Sequence, residues 1–418
     1  MKGLLFTYLM TYGGAAASLI SPYHGLLVYI IFSIIRPEAL WYWSVPAGNY
    51  SRIVGVALLV GWAFRGFGSW RFGRARGVVF ALVGFMAWAA IGQAIATDKE
   101  AAWVFVESLA KIVLPFLVGI TTVDSVRKLK QLAWTIVLSQ GYVAYEFNMA
   151  YLGGFNRLQD IGFGGMDNNS YAIGLVAAAG LAFFLGMGER LWWGKAAAFA
   201  SAFFCGHSVL LSFSRGAMVA MLVTAMAAFV LIPKQPKHYT AFAIALLLGL
   251  RLAGPQVQER FATVFSGDQK KDAGGGGRLE LWSACLGCMV ENPVTGLGPN
   301  HWPLVAHQHG FTVGKSGHST WLQTAAELGI PGVALLASFY GLCIARLWPL
   351  RRDDAPAIDP WLHEAARMVI AALVGFAVAA QFVTLHGLEL PYFTALIGAG
   401  AVKLNSGEPD SPVPDPAG

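Results

Sequence analysis

The sequence predicts an all-α polytopic membrane protein of about twelve transmembrane helices with one large extramembrane loop. Three observations lead there. Hydrophobic residues make up 56% of 418 positions, close to the roughly 240 that twelve spans of about 20 residues need. Charged residues are 12%, about half the share usual in a soluble globular protein. Basic clusters recur at intervals that alternate with the apolar stretches. These features exclude a soluble enzyme, a disordered chain and a single-anchor protein.

Charged or Gly/Pro-rich breaks divide the apolar sequence in order. The stretches are 3–20, 24–35, 53–65, 77–96, 103–122, 129–152, 171–187, 193–213, 214–232, 238–252, 318–345, 363–385 and 387–404. The shorter ones must tilt, extend or span incompletely. Met1-Lys2 runs straight into apolar sequence, so no separate signal peptide is expected. Two full spans in 3–35 would put Met1 outside, whereas Lys2 favours the inside. Either 3–35 crosses once, broken at Ser21-Pro22, or the N-terminus is external, and the first reading is preferred. That gives twelve spans with both termini inside.

The net charge of +6 reports membrane sidedness rather than nucleic acid, because cytoplasmic loops collect Lys and Arg. Arg65, Arg71, Arg74 and Arg76 form one cluster and Arg127, Lys128 and Lys130 another. Arg190 with Lys195, Lys234 with Lys237, and Arg346 with Arg351 and Arg352 follow. Placed in the cytoplasm, they leave 97–102, 153–170 and 253–317 outside. The chain thus divides into N-terminal spans (1–252), a large external loop (253–317), C-terminal spans (318–404) and a tail (405–418) whose composition reads as disordered. Four cysteines are too few for a disulfide framework. No internal repeat supports an inverted-repeat transporter.

Polar groups at span ends carry the chemistry, since ionisable residues in a membrane are costly. Arg215, in Ser212-Phe213-Ser214-Arg215-Gly216, sits where one span turns into the next. A guanidinium fork beside free helix N–H groups suits a pyrophosphate; an interface-marking arginine is the plain alternative. Arg278 follows Gly274–Gly277, with Trp282 one turn on. Glycines let backbone approach a ligand, whereas a Trp/Arg anchor on an interfacial helix needs none. Arg278, Trp282, Cys285 and Met289 share one helical face, so 278–290 is expected to lie along the membrane surface.

His318 opens the span 318–345, with Glu327 in Glu327-Leu328-Gly329. A helix N-terminus disfavours imidazolium and leaves a neutral ring able to take a proton; helix capping is the competing role. Asn169, in Asp167-Asn168-Asn169-Ser170, suits sugar hydroxyls or an N-cap equally. Glu107 and Lys111 are expected to pair at i, i+4, and His207 and His386 read as packing or interface residues. Cys285-x-x-Cys288 with His301, His307 and His309 lacks the matched second ligand pair of a zinc site. Asp98-Lys99-Glu100 reads as a solvated turn rather than a cation site. No metal is therefore expected, and the absence of a phosphate loop argues against ATP-driven transport by this chain alone.

The run GGRLELWSACLGCMVENPVTGLGPNHW (276–302), followed by GHSTWLQTAAELGIPG (317–332), resembles the signature region of the O-antigen ligase/polymerase superfamily. SFSRGAM (212–218) resembles its Ser-Arg-Gly element and MDNNSYA (166–172) its Asp-x-Asn element. PYHGLLVYIIFSIIRPEALWYW (22–43) is similar to O-glycosylation ligases associated with exosortase systems. Ser319 departs from the pattern, where many relatives have Asn after the histidine.

The resemblance implies a GT-C-like, metal-independent, inverting glycosyltransferase of the bacterial inner membrane, without cofactor and facing the periplasm. Its donor would be a glycan on undecaprenyl pyrophosphate, and its acceptor a lipid, polysaccharide or protein. On that reading His318 is the general base, Arg215 and Arg278 hold the pyrophosphate, and Asn169, Trp282 and Glu327 bind substrate. A polymerase and a protein O-oligosaccharyltransferase remain open within the superfamily. A transporter or flippase would need polar residues along a mid-membrane path, whereas these gather at one side.

Overall fold

A computed structural model describes residues 2–232 and 277–406 and a few positions between 235 and 251. The expected span 238–252 falls largely outside the described residues, as do Lys234, Lys237, most of the loop before Gly277 and the tail beyond Ser406. The molecule is 77% helix with no strands among the described residues. It is a multi-pass membrane protein. Eight helices are long and apolar enough to cross a membrane, and Tyr50–Phe64 and Arg215–Leu231 are apolar but shorter. The figure of about twelve is thus matched only in part.

The long helices, in chain order, are α1 (Lys2–Ile20), α2 (Pro22–Ile35), α3 (Tyr50–Phe64), α4 (Arg76–Ile95), α5 (Lys99–Thr122), α6 (Val126–Leu152) and α7 (Asn168–Gly188). After them come α8 (Trp192–Leu211), α9 (Arg215–Leu231), α10 (Arg278–Glu291), α11 (Thr320–Leu347), α12 (Trp361–Ala379) and α13 (Glu389–Asn405). The centre is α7, which packs on α8, α9 and α12. Residues 171–182 of α7 are all buried, so it meets protein rather than lipid on every face. Small residues permit the close approach: a Cβ on Gly180 would lie 3.2 Å from the Ala372 backbone of α12.

The described basic loops gather at one end of the bundle. Arg65 donates to the Ile20 carbonyl, Lys403 to those of Ile120 and Val123, and Lys130 lies over the Trp361 ring. Tyr23, at the start of α2, reaches the Lys128 carbonyl at this same end. Residues 2–35 therefore form a hairpin of two helices turning at Ser21, rather than one broken helix. Pro22 occupies the first turn of a new helix. Gly25 packs so closely on Ser18 that a Cβ would fall 2.2 Å from its Oγ, holding α1 and α2 together. Lys2 lines a cavity with Trp41, Trp43 and Tyr142 at the opposite end, while Ser406 bonds the Arg74 backbone at the basic end. The two ends of the described chain thus lie at opposite ends of the bundle, not on one side.

A second correction concerns 363–385. Helix α12 stops at Ala379, and 380–388 is irregular backbone. Gln381, Thr384, His386 and Gly387 interrupt the apolar run there. The irregular backbone is tolerated because its carbonyls find partners in α11.

Candidate functional site

The end of the bundle opposite the basic loops holds four loop systems tied to one another. The first joins α8 to α9. Phe213 takes a left-handed conformation (φ 52°), and the Ser214 hydroxyl caps α9 by accepting from the Ala217 N–H. Arg215 is the first helical residue, half-buried. Asn168, which begins α7, donates to the Ser212 carbonyl at 2.7 Å, and Asn169 donates to Asn168 Oδ1 at 3.2 Å. The Asp-x-Asn and Ser-Arg-Gly elements are therefore adjacent. Asp167 accounts for its own place as the N-cap of α7, accepting from Ser170 at 2.7 Å.

The second system is α10. Its inward face is Leu281, Cys285 and Cys288, buried against Trp302, Ala306 and Phe311. Half-buried Arg278 and Trp282 flank that face, while Leu279 and Val290 are exposed on the other side. Trp282 packs on Phe382 of the 380–388 loop (ring centroids 6.4 Å apart), and its buried indole N–H has no hydrogen-bond partner among the described residues. Phe382 in turn covers Gly216, where a Cβ would fall 2.6 Å from its own. One phenylalanine thus joins the residue after Arg215 to the helix that carries Arg278.

The third system is the start of α11. Ser319, not His318, is the N-cap, its hydroxyl accepting from Leu322 N–H at 3.3 Å. His318 lies one residue outside the helix, half-buried, with φ 50°, a rare conformation for a residue with a Cβ. The backbone on both sides is pinned. Gly317 N–H donates to Gln323 Oε1 at 2.7 Å and Ser319 N–H to Thr384 Oγ1 at 3.1 Å. Thr320 N–H is shared between the Ala380 and Val383 carbonyls, at 2.8 and 2.9 Å. His386 meets Thr324 Oγ1 at 2.6 Å. Burial lowers its pKa to about 4 against an opposing hydrogen bond to the Thr320 backbone, so the ring is neutral at physiological pH.

The fourth system is the loop 292–302, stitched to α11 where that helix breaks. Gly329 is left-handed (φ 66°, ψ −168°), and Pro331 has no N–H to give to Glu327. The carbonyls so freed accept from the loop: Ala326 from Leu297 N–H and Glu327 from Gly298 N–H, each at 2.9 Å. Ile330 N–H goes instead to the Pro293 carbonyl at 2.8 Å, and Leu328 C=O to the Trp88 indole at 2.8 Å. Gly296 and Gly329 sit where a Cβ would fall 2.4 Å from the backbone of the facing segment. The Gly-x-Gly and Glu-Leu-Gly elements are thus two halves of one joint.

Glu327 is 1% exposed and faces this loop. Its carboxylate accepts from Asn300 N–H (3.1 Å), Trp302 N–H (3.2 Å) and Gln323 Nε2 (2.8 Å). All three partners belong to the protein's own loop and to α11.

Sequence reasoning missed the 380–388 loop, with Thr384 and Phe382, and missed Gln323. The signal was present as polar residues inside an apolar run, but that run was long enough to read as a span.

The remaining candidates have partners of their own. Glu107 pairs with Lys111 at 2.8 Å and with Arg52 at 3.7 Å. Asp98 caps α5, accepting from Glu100 and Ala101 N–H. His301 accepts from Asp98 N–H at 3.0 Å through Nε2, and its Nδ1 meets the Pro299 carbonyl at 2.8 Å. Cys288 Sγ meets His309 Nε2 at 3.4 Å, but no group of three His, Cys, Asp or Glu converges among the described residues. Burial raises the Cys285 and Cys288 thiol pKa values, so neither is a poised thiolate.

Residues 197–337 match the family described as O-Antigen ligase. That segment runs from α8 through the α11 joint. Residues 1–166 match a family of unknown function, DUF5935. No curated protein matches the chain.

Proposed function

We propose a specific reaction, supported by the similarity of residues 197–337 to the O-antigen ligase family, which suggests membrane glycan transfer by a ligase or polymerase. The protein moves a glycan from undecaprenyl pyrophosphate to an acceptor hydroxyl, at the periplasmic face of a bacterial inner membrane. Lipid, polysaccharide and protein acceptors all fit this chemistry. The observation that carries the reading is that the neighbours of these candidates meet on one loop, 380–388: Gly216 beside Arg215 and Trp282 of the Arg278 helix pack on Phe382, and Ser319 beside His318 bonds Thr384, while Asn168 bonds Ser212 of the Arg215 turn.

In this reading Arg215 and Arg278, each the first residue of its helix, hold the pyrophosphate beside the helix N–H groups. They stabilise the negative charge that develops as undecaprenyl pyrophosphate leaves. His318 takes the proton from the acceptor hydroxyl. That oxygen then bonds to the anomeric carbon as the bond to pyrophosphate breaks, inverting the centre. The indole N–H of Trp282 and the side chain of Asn169 supply hydrogen bonds to sugar hydroxyls. Glu327 positions the loop and Gln323 rather than touching the glycan. No metal or cofactor enters these steps. A ligase is favoured over a polymerase because polymerases of the superfamily usually rely on two substantial external loops, and 153–167 is short, with a single helical turn at Arg157–Ile161.

Purified protein mixed with an undecaprenyl-pyrophosphate glycan and candidate acceptors tests the reading. A single glycan block on a new acceptor is expected; a ladder still on the lipid would make it a polymerase. His318→Ala should lower transfer at least a hundredfold, the lower range for loss of a general base. Full activity in that variant would sink the assignment.

A further inference from the structure

A cavity of about 460 Å³ opens away from this cluster, at the end of the bundle opposite the basic loops, between α2, α3 and α5. Tyr29, Ser33, Arg36, Glu38, Lys111 and Glu389 are among its lining residues. Its volume is that of a small-molecule site, and its walls are built. Arg36 is held left-handed (φ 45°), donating to the Gly164 carbonyl at 2.6 Å and pairing with Glu389 at 3.3 Å. A Cβ on Gly164 would fall 2.6 Å from Arg36 Cδ, so the loop leaves room for that side chain.

Lys111 lies in the middle of α5, about 18 Å along the helix from Lys99 at 1.5 Å per residue, and its side chain is 53% exposed. Glu107, one turn earlier, is 40% exposed, and Arg52 beside it 65%. Charged groups on the flank of such a bundle need polar partners. Both signs are present here. Arg36 and Glu389 cancel. Arg52 and Lys111 share one carboxylate, Glu107, and keep a net positive charge between them. Glu38 also lines the cavity, makes no ion pair among the described residues and adds a negative charge there. Positive and negative charge in one cavity match a ligand carrying both.

We propose that this cavity binds the head of a membrane phospholipid that carries a phosphodiester and a primary ammonium. The phosphate meets Lys111 and Arg52, the ammonium meets Glu38, and the acyl chains run down the outside of α3 and α5. This site is separate from the transfer reaction and stands or falls without it.

Full-length protein in nanodiscs of equal phosphatidylethanolamine and phosphatidylglycerol, released into native mass spectrometry, reads the retained lipid. Phosphatidylethanolamine should be enriched about tenfold, the worth of one charge-assisted contact. The variant Lys111→Gln leaves Glu107 to Arg52 and removes the net positive charge, and should lose the enrichment while keeping its thermal midpoint. Glu38→Gln should shift retention toward phosphatidylglycerol. Unchanged enrichment in both variants would overturn the proposal. So would displacement of the lipid by soluble glycerophosphoethanolamine at equal concentration, which would make it a site for a free solute.

Discussion

At the scale of single residues, the candidate base depends on backbone partners that the sequence does not advertise. His318 is held in a left-handed turn by Gln323 on one side and Thr384 on the other. Thr384→Val keeps the shape but leaves the Ser319 N–H without its acceptor, at a cost of about 1–3 kcal/mol. Transfer should fall roughly tenfold through kcat with little change in KM, and Thr384→Ser should restore it; unchanged kinetics in the valine variant would show that the turn holds itself. His318 and Arg215 stand out in the sequence as polar residues at the mouth of an apolar span, and Arg278 as the residue after four glycines. Thr384 does not. A threonine in an apolar run reads as span, and its partner lies 65 residues away in sequence.

At the scale of elements, the break in α11 replaces helix bonds with bonds to the loop 293–298. The sequence shows its parts, since Gly329 and Pro331 both weaken a helix, but not that another segment takes over the freed groups. Gly329→Ala would force a Cβ to within 2.4 Å of the Val294 carbonyl at a positive φ. That should destabilise the protein by about 2–4 kcal/mol, seen as a lower thermal midpoint in detergent together with loss of transfer. A variant as stable as wild type would mean the joint is not strained against side chains there. Helix periodicity put Arg278, Trp282, Cys285 and Met289 on one face of α10, whereas the face that packs inward is Leu281, Cys285 and Cys288; the far end of α12 was overrun by six residues because apolar composition continues past the last helical turn.

At the scale of the whole molecule, composition was enough for a multi-pass membrane protein, and the alternation of basic loops corresponds to their gathering at one end. The N-terminal hairpin was not legible, because the single Lys2 weighed against a turn that only close Gly–Ser packing reveals. The hairpin predicts that Lys2 and Arg74 lie on opposite sides. The four native cysteines are buried, so Lys2→Cys and Arg74→Cys can be probed with an impermeant maleimide in intact cells. Only the first should react; equal labelling would reject the hairpin. The joint in α11 also bears on how such a chain is made. Its donors at Leu297 and Gly298 leave the ribosome about 30 residues ahead of the carbonyls they satisfy, a short loop to close. The broken helix therefore meets its partner as soon as it is synthesised, and never has to wait in the bilayer with its carbonyls bare.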